Sequence, residues 1–179
     1  MLTTRKRVYD VLFIIDSIFL LSFIFSDKLL SSNLSRVFNS DLKAYFLLNL
    51  FSFSYGINLF LVCEKRKLHR IKYLALTAPL IASIIRYNPL FPNALSSNIH
   101  LLSAYVSCIM ITVIELIILF RYNLNLKMRR FLINVYIIVF AFCLYLYIDH
   151  MFVSLLNEII YLEAIELINL IIMHYEVKK

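Results

Sequence analysis

Tryptophan is absent from this chain, glycine occurs once, at Gly56, and there are only three prolines and three cysteines in 179 residues. So little glycine and proline excludes collagen-like, low-complexity and disordered compositions. The cysteines, Cys63, Cys108 and Cys143, sit within or at the ends of apolar runs, with no CxxC spacing and no Cys/His cluster. Neither a disulfide framework nor a zinc site follows from that pattern, and buried structural thiols do. Charge is scarce as well: 16% of residues, against about 25% in a soluble domain.

What fills the gap is hydrocarbon. Hydrophobic residues make up 62% of the chain, where a soluble domain carries about 45–50%, and the mean hydropathy is +0.83. The solvent for such a surface is lipid. The length allows one compact membrane domain, residues 1–179, and no second globular one. The expected fold is all-α, a polytopic bundle of six, at minimum five, transmembrane helices.

A spanning helix needs about 20 mostly apolar residues. Segments 8–25, 42–63, 100–120 and 131–148 meet that standard. Two more, 71–85 and 155–173, are weaker: the first is short and contains Pro79, and the second contains Asn157, Glu158, Glu163, Glu166 and Asn169. The opening "MLTTRKRVYDVLFIIDSIFLLSFIF" has the basic head of a signal peptide. Its apolar body is too long and no small-residue cleavage site follows, so it reads as an uncleaved first span.

Charge decides the short segment. With six spans, fourteen of the eighteen Lys and Arg residues fall on the side of the termini and four on the other. Without segment 71–85 the same charges divide nine and nine. Basic bias in short loops sets orientation, which favours six spans with both termini on the cytoplasmic or matrix side. Pro79 is tolerable inside a bundle. The basic stretch "EKRKLHRIKY" then becomes the loop between the second and third spans. Lys65, Arg66, Lys67 and Arg70, with Arg129 and Arg130, are expected to meet anionic lipid headgroups. Nucleic acid is not an expected partner, since no soluble fold presents the patch. Without tryptophan, Tyr9, Tyr45, Tyr73, Tyr87, Tyr122 and Tyr161 are the candidates for an interfacial belt.

Four acids lie deep in apolar sequence: Asp16, Glu115, Glu163 and Glu166. An aspartate at the centre of a spanning helix costs about 2.5–3.5 kcal/mol, so these side chains should avoid lipid. They can be carried as neutral acids, hold a proton or cation in a wet cavity, or accept a group from a partner subunit. The bland alternative is hydrogen bonding to serine, tyrosine or asparagine across the bundle. Four histidines offer two candidate haem pairs, His100 with His150 and His69 with His174, because haem iron takes axial histidines. All four lie at helix ends and small packing residues are few, so no cofactor and no metal is expected.

Catalysis has little support. Cys63, Glu64 and His69 bring together the ingredients of a cysteine peptidase, and in that respect resemble quorum-peptide-processing membrane proteases. Those place the histidine before the cysteine in a glycine-containing segment, and here the order is reversed. A voltage-gated channel would need repeated arginines in the fourth segment and a TVGYG-type filter, both missing. The expectation is a non-catalytic membrane subunit or interaction protein, working by helix contacts with other membrane subunits or with copies of itself. The alternative is a proton or cation conductor using the intramembrane carboxylates, although one glycine and one mid-span proline argue against a self-sufficient transporter. A composition rich in Ile, Asn, Lys, Tyr and Phe suits the inner membrane of an AT-rich bacterium or of an organelle.

Overall fold

The computed structural model describes residues 2–25, 28–30, 32–34, 37, 42–85, 87, 91, 93, 95–120, 124–150 and 153–175. Among them the regular structure is entirely helical: α1 Leu2–Leu21, α2 Leu42–Lys65, α3 Ile71–Ile84, α4 Leu95–Phe120, α5 Leu126–His150 and α6 Leu155–His174. Three of these, α2, α4 and α5, are long and apolar enough to cross a membrane. The others fall short by length or by charge. Helix α3 has 14 residues, while α1 includes the basic head and two aspartates and α6 includes three glutamates. Helix α1 also stops at Leu21, before the predicted end at residue 25. Phe23 and Ile24 donate to the carbonyls three residues back, and the Ser22 hydroxyl donates to the Phe19 carbonyl at 2.7 Å, so the last turn tightens and closes.

The chain divides into two compact units, one of residues Leu34–Ile114 and one of Met1–Asn33 with Glu115–Lys179. The first is built on the α2–α3 hairpin. Helix α3 buries only small or compact residues, Ala75, Ala78, Pro79 and Ser83. Opposite them lies the sole glycine: a Cβ at Gly56 would sit 2.5 Å from the Leu76 carbonyl oxygen. Small residues let two backbones approach, which is how helices pack when the surroundings are as apolar as the side chains.

The connecting turn is a Schellman motif. Leu68 N–H donates to the Cys63 carbonyl at 2.8 Å and Lys67 N–H to that of Glu64 at 3.1 Å. Lys67 takes the left-handed position, φ 58°, where glycine is usual. Lys72 Nζ closes the hairpin with an ion pair to Glu64 at 2.5 Å and lies 5.2 Å from the ring centroids of Phe60 and Tyr73. At the far end of α3 two side chains take backbone acceptors. Tyr45 hydroxyl donates to the Ile84 carbonyl at 2.6 Å, and His100 Nδ1 meets the Ile85 carbonyl at 2.5 Å. A carbonyl only accepts, so His100 carries its hydrogen on Nδ1.

In the second unit α6 packs against both α1 and α5. Its first turn has full donor accounting. Leu155 and Leu156 N–H donate to the carbonyls of Ser32 and Leu29, and Asn157 N–H donates to the Ser154 hydroxyl. A helix start buried without such partners would leave orphan donors costing about 1–3 kcal/mol each. Asn125 caps α5 in a similar way, accepting from Lys127 N–H at 3.0 Å.

Within the units, polarity is distributed against the pattern of a water-soluble fold. Asp16, Asn58, Glu115, Glu166 and Asn169 are buried, while Ile18, Ile109 and Ile138 are more than 60% exposed.

Candidate functional site

The four sequence-predicted carboxylates, Asp16, Glu115, Glu163 and Glu166, all belong to the unit that joins the chain's two ends. Helix α1 contributes Tyr9, Asp16 and Ser17, the last turns of α4 contribute Glu115, and α6 contributes Glu163, Glu166 and Asn169. Periodicity aligns them. Tyr9, Asp16 and Leu20 recur at helical spacing and form the buried stripe of α1, and Ile165, Glu166, Ile168, Asn169, Ile172 and Met173 form that of α6.

Each bridge has defined geometry. Tyr9, fully buried, donates its hydroxyl to the Glu166 backbone carbonyl at 3.1 Å. Ser17 hydroxyl donates to Glu163 Oε2 at 3.1 Å. Asn169 Nδ2 donates to Glu115 Oε2 at 3.1 Å. Tyr9 lies within electrostatic range of Glu166, Glu115, Asp16 and Asp10. At the end of α6, His174 Nε2 meets Asp10 Oδ1 at 2.7 Å, on the exposed rim. Among the described residues, buried oxygens on Glu115, Asn157, Glu163 and Asn169 accept no hydrogen bond. Among the described residues no three His, Cys, Asp or Glu side chains converge as a metal ion would require.

Tyr9 and Tyr87 do not fit the interfacial belt expected of them. Such a belt needs exposed rings, and both are buried. Tyr9 stands seven residues before Asp16, two turns up the same face, and that spacing is the signal that marks it. Tyr73 is exposed, and Tyr122 lies outside the described residues.

The histidines and basic residues have separate surroundings. His100 is buried, bonded to Ile85 and tilted against the Tyr87 ring at 5.7 Å. His174 is paired with Asp10, His69 is exposed in the α2–α3 turn, and the His150 side chain lies outside the described residues. Of the peptidase ingredients, Cys63 is buried while His69 is exposed. In the basic turn Lys67 and Arg70 are exposed, Lys65 is half-buried, and Arg66 is buried. Arg130 is exposed and Arg129 half-buried at the start of α5. Lys178 and Lys179 lie outside the described residues.

The chain matches no protein-family model, no curated protein and no solved structure.

Proposed function

We propose that this chain is a multi-pass integral membrane protein of six spans that acts through helix–helix contacts with other membrane subunits or with its own copies, without catalysis. The observation that carries the reading is the inverted polarity. Buried acids and amides lie inside units whose outward faces are isoleucine, leucine, phenylalanine and tyrosine. Helix α5 supports it most directly, because only 17% of its most apolar stretch is buried. Its exposed Ile137, Ile138, Phe140, Tyr145 and Ile148 form a surface far too apolar for water. Lipid can cover part of that surface, and a neighbouring helix can cover the rest. Both termini and the turns at Lys67 and Lys127 face the cytoplasm or matrix, where Lys67 and Arg70 meet anionic headgroups.

Purification in mild detergent tests the reading: a stoichiometric membrane partner or a defined homo-oligomer is expected, and a monodisperse monomer in every detergent and in nanodiscs counts against it. Cysteines placed at Lys67 and Asn93, in a chain without the native three, should label from opposite sides. Labelling of both from the cytoplasmic side would remove the six-span topology.

A second reading, conduction of protons or cations, is favoured by the buried carboxylates of the α1–α6 unit. Flux in proteoliposomes that disappears in Asp16→Asn or Glu166→Gln would establish it, and flux equal to that of empty liposomes would dismiss it.

A further inference from the structure

Glu115 and Asn169 leave an imbalance that their one hydrogen bond does not remove. Asn169 Nδ2 donates to Glu115 Oε2 at 3.1 Å. Glu115 is fully buried and Asn169 is 2% exposed. The remaining oxygen of each, Glu115 Oε1 and Asn169 Oδ1, is buried and accepts nothing. Two acceptors cannot satisfy one another. A buried acceptor left unpaired costs about 1–3 kcal/mol, and an ionised carboxylate without a countercharge costs more.

The deep stretches of these helices carry no cation of their own. Lysine and arginine are absent from residues 8–25, 115–120, 131–148 and 155–173. The groups that share this interior are themselves acidic or neutral. From α1 come Tyr9 and Asp16, and from α6 comes Glu166, with Tyr9 in electrostatic range of all three acids Glu166, Glu115 and Asp16. From α5 comes Tyr136, whose hydroxyl lies 3.4 Å from that of Tyr161 on α6. Asp10, also near Tyr9, is engaged with His174 on the rim.

We infer that Glu115 and Asn169 form a proton-binding site, in which one hydrogen on Glu115 converts the pair into an acid and an amide joined by two opposed hydrogen bonds. The carboxyl O–H donates to Asn169 Oδ1 while Asn169 Nδ2 keeps its bond to the other carboxyl oxygen. One proton from solvent is taken up as Glu115 leaves water, and nothing else is exchanged. A divalent cation would need further oxygen or nitrogen ligands, and no such convergence exists among the described residues. The proton belongs to the folded unit whatever partner the outer helices meet, so losing either assignment leaves the other standing.

Infrared spectroscopy of the full chain in phosphatidylcholine nanodiscs, in D₂O at neutral pH, reads the site directly. The wild-type minus Glu115→Gln difference should show loss of one protonated-carboxyl C=O band and no change in the carboxylate stretches. Loss of carboxylate stretches instead overturns the assignment. Should Glu115→Gln not accumulate, Asn169→Leu with Glu115 intact serves. The C=O band should then move to higher wavenumber as its hydrogen-bond partner is removed, and an unmoved band overturns the pairing.

Discussion

The two compact units hold their helices together by different means. In Leu34–Ile114 the contact between α2 and α3 is local in sequence and rests on closeness. Gly56 meets the Leu76 carbonyl, Ala75, Ala78 and Ser83 line the buried side of α3, and the turn between the helices satisfies its own carbonyls. In the other unit α6 meets α5, its neighbour in sequence, and also α1, from which it is separated by most of the chain. Polar side chains bridge them, from Tyr9 to Glu166, Ser17 to Glu163 and Asn169 to Glu115. Dispersion between close backbones needs small residues and tolerates no added atoms. Bridging by hydrogen bonds tolerates size but not a change of donor, acceptor or charge. Each unit is therefore vulnerable to a different kind of substitution.

The cysteines report on this contrast, because Cys63 is buried in the hairpin and Cys143 is partly buried on α5 beside the Asn157 carbonyl. The largest effect expected is that of Glu166→Lys. It places a cation where an almost fully buried acid stood, at a cost of about 3 kcal/mol or more. Folded protein in the membrane should drop sharply, and in the fraction that remains Cys143 should alkylate faster while Cys63 stays protected. If both thiols became reactive together, the two units would have to unfold as one.

Gly56→Ala should have the opposite signature, at about 1–3 kcal/mol. The obstructing atom is backbone oxygen at 2.5 Å and has no rotamer to escape into, so Cys63 should lose protection first. Ser17→Ala removes the donor to Glu163 Oε2 and should cost about 1 kcal/mol, read as a lower unfolding temperature in detergent. Lys67→Gly comes last and has the other sign. Relieving a left-handed lysine should stabilise the hairpin by about 1 kcal/mol, and an unfolding temperature that falls would show that the lysine makes contacts outweighing its strain.

Much of the helical layout was legible in the sequence, for plain reasons. Apolar runs at 42–63, 71–85, 100–120, 131–148 and 155–173 correspond to α2 through α6. The ends were less legible. Helices α1, α4 and α5 begin earlier than the apolar runs do, since polar residues such as Arg5, Asn98 and Arg129 continue a helix without extending its greasy stretch. The acids were conspicuous because the sequence around them is mostly apolar. Their partners were not, because Tyr9 and Glu166 are 157 residues apart and Ser17 and Glu163 are 146 apart. Periodicity along one helix names the residues of a face, but it does not say which other face will meet it.

The union of the first and last helices also has a consequence for biosynthesis. Helix α6 closes on α1 through Glu163, Glu166 and His174, and its first turn leans on the carbonyls of Leu29 and Ser32. The ribosome adds Glu163 to the chain 146 residues after Ser17. At about 5–20 residues per second, roughly 7–29 s separate the emergence of Ser17 from that of Glu163. During that interval Asp10, Tyr9 and Ser17 of α1 have yet to meet the α6 groups they engage in the folded chain. The bonds that join α6 to α1 therefore form late, after everything between them has been made.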